Sequence, residues 1–266
     1  MLHALHSIAA FVFDVELLET WGDRLLRGVG VTAEVVLLSC GCGFLLSYPI
    51  ALARMSRSRL LSASALSYAT FFRGTPLLCQ LYLVYYGAGE IRPFLQSLGI
   101  WWFFRESFSC CVFAFTLNTA AYQSEIVRGA VQAVPKGQIE AARALGLSRY
   151  AIARHVVWPQ AMLVALRPYG NEFIGMIKAS SLAAIVTLLD LLGETRFIFA
   201  RTFDFSVYLY AALIYLAITQ TISRLWNWME RKLSRHLRQV EPAVLMLSPG
   251  ARQGQGAAMG AVQAEP

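Results

Sequence analysis

Residues 28–53 contain one charged side chain, Glu34. As a helix rising 1.5 Å per residue, that stretch is about 39 Å long, more than the roughly 30 Å of a bilayer's hydrocarbon core. Four more segments are apolar and helical in character: Ser62–Gly87 with one charge, Ser107–Ser124 and Phe205–Ser223 with none, and Val156–Asp190 with four in 35 residues. The whole chain is 57% hydrophobic and 15% charged, where soluble domains sit near 45–50% and about 25%. A soluble helical bundle would need charged faces that these helices lack. The pattern requires an all-α, polytopic membrane protein with about five transmembrane helices.

The basic residues orient it. The short segments after the first, third and fifth spans carry three, five and five Lys or Arg, while the alternate segments carry two each. The positive-inside rule then puts the N-terminus outside and the C-terminus in the cytoplasm. It also accounts for the net charge of +7 without a nucleic-acid partner. Asp14, Glu16 and Glu19 follow the first apolar stretch and no basic residues precede it, which excludes a signal peptide and suggests an interfacial helix. The five cysteines lie in apolar segments as packing residues, with no pattern for a disulfide framework or metal.

Breaks and outside loops are expected. RGTP at Arg73–Pro76 interrupts the second span. The loop GAGEIRPFLQSLGIWWFFRE lies outside, its Trp101–Phe104 forming an interfacial belt, and another outside loop carries Glu194, Arg196, Arg201 and Asp204. The fourth span is longer than the bilayer, so it either starts in the cytoplasm or breaks, with Pro159, Pro168, Gly170 and Gly175 as candidate places. The organisation is then an outer or interfacial segment (1–27), a membrane domain (28–238) with a cytoplasmic loop at 135–159, and a disordered tail (239–266) rich in Gly, Ala, Gln and Pro.

That cytoplasmic loop reads as a rigid elbow. Pro135 suits a first helical turn, Gln138–Leu145 are good helix formers, Gly146 closes the helix in a left-handed conformation, and Ser148 N-caps a second helix. Leu145 and Leu147 are placed to bury against a common surface, and Arg143, Arg149 and Arg154 point outward. Glu125 and Arg128, three apart, pair on one helix.

The sequence EAARALGLSRYAIARHVVWP (140–159) is similar to the EAA motif of permease subunits in binding-protein-dependent ABC importers, carried here by Glu140, Ala141, Ala142, Gly146, Val156 and Pro159. FFRGTPLLCQLYLVYYG (71–87), residues 119–148 and NEFIGMIKASSL (171–182) resemble the polar amino-acid branch, most closely its histidine/arginine/opine permeases, over about 28–237. The resemblance implies a type I ABC importer permease fold in the bacterial inner membrane. It implies that the elbow docks on a separate ATP-binding subunit dimer, which binds the ATP and Mg. A second permease subunit (a paralogue or a second copy) and a periplasmic substrate-binding protein complete the implied assembly. The chain has no G-x-x-x-x-G-K-[ST] loop of its own and is not an enzyme. It departs from the family at Trp158, at Arg167 (often proline) and at Lys178-Ala179-Ser180-Ser181-Leu182, where the usual threonine is replaced but a hydroxyl is kept.

Ionisable groups inside spans mark pathways by default, making Glu34, Arg73, Arg167, Glu172 and Lys178 candidates for the substrate route, with Asn118 and Asn171 as neutral partners. Glu172 is the preferred contact for a cationic substrate, namely arginine, histidine, lysine, ornithine or an opine, with glutamine or glutamate as the alternative. An ion-coupled secondary transporter would show inverted repeats, and none is evident. A membrane-embedded enzyme needs clustered His, Asp or Glu, whereas the four histidines lie at the chain ends or in the elbow.

Overall fold

The computed structural model describes residues 15–233. The start of the expected interfacial helix (1–14) and the expected disordered tail (239–266) lie outside the described residues. The described elements are helical throughout: α1 (Val15–Arg54), α2 (Arg59–Gly74), α3 (Leu77–Glu90), the short α4 (Arg92–Ser97) and α5 (Trp101–Phe104), α6 (Ser107–Gln132), α7 (Lys136–Ala144), α8 (Arg149–Ile152), α9 (Trp158–Ala179), α10 (Leu191–Thr202) and α11 (Ser206–Leu233). A π turn (Ala153–Val157) joins α8 to α9, and a 3-10 turn (Ser180–Val186) follows α9. The chain divides into two compact units, one ending at Arg224 and the other starting at Leu225. In the second, the described Leu225–Leu233 is helical, and Lys232 Nζ lies 5.2 Å from the Trp228 ring.

Among the described residues, Glu19–Arg54 and Ser206–Leu233 are long and apolar enough to cross a membrane. A third crossing is obtained if Arg149–Val186 and Leu191–Thr202, bent by 47°, count as one broken span. Helix α6 has 26 residues, about 39 Å, but carries a more polar sequence. Its polar side chains point inward: Thr116, Asn118, Thr119, Gln123 and Ser124 are all buried. It sits at the centre of the first unit, packed by α1, α2, α3 and α9. At Gly43 of α1 the backbones come so close that a Cβ would collide with the Thr119 side chain and lie 3.3 Å from Ala120 N, so glycine is required there.

The RGTP break lies where expected. Pro76 has no N–H to give to the Phe72 carbonyl four residues back, and a buried acceptor without a partner is costly. Two side-chain amides take the missing place: Gln80 Nε2 donates to Phe72 O at 2.8 Å, and Asn118 Nδ2 of α6 donates to it at 2.9 Å. Asn118 also donates to Gln80 Oε1 at 3.0 Å. Gln80 in turn reaches Thr75 Oγ1 at 2.8 Å.

Two expectations are corrected. The fourth span does not break at Pro159, Pro168, Gly170 or Gly175. Helical residues run from Arg149 through Pro168 to Ala179, so the excess length lies at the elbow end. The turn comes later, at Thr187 with φ 63°. The segment with Glu194 and Arg196 is the docked helix α10, not a loop. Asp190 caps it by accepting from Gly193 N at 2.9 Å, and Leu191 and Ile198 are buried beneath it. Glu194 is itself buried and held by Arg24 Nε at 2.9 Å.

Replacing Asn118 with alanine removes one donor from Phe72 O and leaves Gln80 Oε1 unpaired. The expected loss is about 1–3 kcal/mol, read as a lower unfolding temperature in detergent. The exposed Thr70→Ala serves as a control and is expected to show no such loss.

Candidate functional site

The elbow is built by two local motifs. After α7, Gly146 takes φ +75°. Its N–H donates to Arg143 O at 2.9 Å, and Leu147 N donates to Ala142 O at 3.2 Å, the paired bonds of a Schellman ending. Ser148 then accepts from Ala151 N at 3.2 Å to cap α8. The two helices are thus joined by a fully hydrogen-bonded corner. Pro135 is the N-cap residue rather than part of the first turn, which starts at Lys136.

Of the motif residues, Ala142 is buried, Val156 is half-buried in the π turn, and Glu140, Ala141, Gly146 and Pro159 are exposed. Arg143, Arg149 and Arg154 are exposed as expected. Leu145 and Leu147 do not bury against a common surface. They are 81% and 43% exposed, and Tyr150 beside them is 73% exposed. The inner side of the elbow rests on a small core of Ala130, Val134, Ala161 and Ala165, with Ile139 and Trp158 packed against it. Trp158 also faces Tyr48 of α1, ring centroids 5.4 Å apart, so its bulk is absorbed between helices.

The pathway candidates separate into two groups on α9. Arg167, Asn171 and Lys178, at spacings that bring side chains to one face, are exposed. Glu172 is turned into the bundle, where Thr119 Oγ1 donates to its Oε1 at 2.8 Å. Gln123 Nε2 donates to Thr119 Oγ1 at 3.1 Å. Asn118 is not among these groups: its amide is engaged at the Pro76 break. Glu34 is exposed on α1.

Sequence reading missed Gln80, Thr119 and Gln123. The last two lie four apart within an uncharged span, and together with Thr116 they form one polar face of α6 that periodicity alone would reveal.

A charge cluster closes the end of α6 beyond its uncharged stretch. Glu125 pairs with Arg128 as expected, at 2.7 Å, but also with Arg54 at the end of α1 at 3.2 Å and with Arg73 at the end of α2 at 3.9 Å. Beside it lies a cavity of about 430 Å³ lined by Arg73, Tyr122, Glu125, Val164, Ala165 and Pro168, among others.

The protein-family model for "Binding-protein-dependent transport system inner membrane component" matches residues 43–235. The nopaline transport system permease protein NocM of Agrobacterium fabrum is 42% identical over 226 residues, 85% of this chain and 94% of that protein. The histidine/lysine/arginine/ornithine transport system permease protein HisM of Escherichia coli K12 is 36% identical over 223 residues, 84% and 93% of the two chains. A crystal structure of an amino acid ABC transporter with histidines superimposes with a TM-score of 0.74 at 34% identity, covering 83% of this chain and 99% of that one.

The arginine cluster also determines how this end of the bundle responds to acid. Burial pushes the Glu125 carboxyl up, but hydrogen bonds from Arg128 and Arg54 outweigh it and hold the group below the ordinary carboxylate range. Its folded pKa is therefore below the unfolded value of about 4.3. The stabilisation is fully present above that unfolded value and disappears as pH falls through the folded one. In melts from pH 7 to 3, the difference in unfolding temperature between the unaltered protein and Glu125→Gln is expected to be flat above about pH 5 and to shrink below about pH 4.

Proposed function

Because the chain belongs to the family of inner membrane components of binding-protein-dependent transport systems, we propose that it is the permease subunit of an ABC importer for a polar, cationic amino acid or an opine. It spans the bacterial inner membrane five times, N-terminus outside and C-terminus in the cytoplasm. It translocates the substrate delivered by a periplasmic binding protein. Family membership makes it a transport component and not an enzyme; the energy comes from ATP on a separate subunit.

The observation that carries this reading is the elbow. A corner fixed by two backbone hydrogen bonds and a serine cap presents Leu145, Leu147 and Tyr150 to solvent. Large exposed apolar groups at one place mark an interaction site. The exposed arginines around them suit an acidic rim on a soluble partner. The second helix of the elbow continues through the π turn into α9. Glu172 lies 23 residues beyond Arg149 on that run, so a push on the elbow reaches it along about 35 Å of helix.

The face of α9 that carries Arg167, Asn171 and Lys178 supports the same reading. Polar and charged groups on a spanning helix are costly against lipid and face a protein or a water-filled path instead. A second permease subunit, a paralogue as in the branch the sequence resembles, covers that face and shares the pathway with Glu172. Glu172 provides the carboxylate for a cationic side chain.

Two results test this. Leu145→Asp with Tyr150→Asp is expected to abolish co-purification of the ATPase and to reduce uptake at least tenfold, with the unfolding temperature of the membrane subunit unchanged. Retained co-purification and uptake would reject the elbow as the docking surface. Glu172→Gln is expected to lower uptake of labelled arginine or histidine at least tenfold while the ATPase still co-purifies; unchanged uptake and selectivity would remove Glu172 from the pathway.

A further inference from the structure

We propose that Arg73 is a carboxylate anchor, which takes the substrate's α-carboxylate in the cavity between α6 and α9. This rests on the reading that an amino acid crosses the membrane through this chain. The charge balance is the first argument. Arg54, Arg73 and Arg128 all approach Glu125, three guanidiniums to one carboxylate, and Glu172 is the other carboxylate that acts on Arg73, so positive charge is in excess beside the cavity.

The geometry assigns that excess to Arg73. Glu125 is occupied by the two nearer partners: Arg128 donates to Oε2 from Nη2 at 2.7 Å and from Nε at 3.0 Å, and Arg54 Nε donates to Oε1 at 3.2 Å. Arg73 Nη1 stays 3.9 Å from Oε2, beyond a hydrogen bond. Its side chain is 43% exposed, and its guanidinium carbon sits 5.3 Å from the centre of the Tyr122 ring. The aromatic face holds the guanidinium plane and leaves its N–H edge for an acceptor with two oxygens, the match an arginine makes with a carboxylate.

The cavity leads in the right direction. Val164, Ala165 and Pro168 of its lining lie on α9, and Glu172 is one turn beyond Pro168 on the same helix. A basic amino acid has a carboxylate at one end and a cation at the other. Arg73 and Glu172 offer the opposite charges at two levels of one route. The walls between them are largely apolar, with Ile126, Gly129 and Ala130 completing the lining, so charge pairing there is less screened than in water.

The test uses the assembled membrane complex with its ATPase in nanodiscs, without the binding protein. Probe pairs are L-arginine with agmatine and L-histidine with histamine, each amine lacking only the carboxylate. The complex is expected to prefer at least one amino acid over its amine by roughly tenfold or more, the contribution of a charge-assisted hydrogen bond. Arg73→Gln is expected to bring the amino acid down to the level of its amine and leave the amine unchanged; Arg73→Lys keeps part of the preference. Melting of both variants checks that they fold.

If the preference survives in a folded Arg73→Gln protein, or if amino acid and amine weaken together, Arg73 is not the anchor. That second result is also what a site for lipid phosphate or a purely structural arginine would give. If the unaltered complex binds neither amino acid, arginine and histidine fall as its substrates, and this inference falls with them.

Discussion

A polypeptide inside hydrocarbon has no water to satisfy its backbone, so each interruption of a helix must find its hydrogen bonds within the protein. Here that requirement falls on α6. Pro76 deprives the Phe72 carbonyl of its donor, and Asn118 and Gln80 supply two in its place. Where α9 turns inward, Thr119 meets the Glu172 carboxylate. At the end of α6, Glu125 gathers the ends of α1 and α2 through their arginines. The helix with five buried polar side chains is therefore the one around which α1, α2, α3 and α9 pack.

The same requirement explains the stiffness of the elbow. A helix ends with carbonyls that need donors, and here Gly146 and Leu147 provide them while Ser148 starts the next helix without slack. With no loose residues between α7 and α8, displacement of the exposed apolar tip has to move α9. Pro159 does not interrupt this path. The π turn immediately before it inserts an extra residue per turn, which accommodates a proline that has no N–H to give.

Chemistry is distributed unevenly over α9. One face turns Glu172 toward α6, another presents Arg167, Asn171 and Lys178 outward. A single subunit thus shows both a half-buried carboxylate held by a neighbouring hydroxyl and a polar surface unsuited to lipid. Toward the elbow, Val164, Ala165 and Pro168 of α9 line a cavity together with Arg73 and Glu125.

The sequence by itself determined the class of molecule. Apolar runs without charge, the RGTP break and the Gly146–Ser148 corner were all legible, because each depends on local chain chemistry and on the transfer of side chains out of water. The Glu125–Arg128 pair was legible for the same reason, being three residues apart on one helix. Tertiary structure alone decided the rest. Asn118 is a repair to a neighbouring helix, Arg54 and Arg73 share a carboxylate more than fifty residues away, α10 is docked and not a loop, and Leu145 and Leu147 stay exposed. Those outcomes depend on which helix faces lie opposite one another. Residues separated in sequence by whole helices meet only when the close approach of backbones, as at Gly43 and Thr119, fixes the register of one helix against the next.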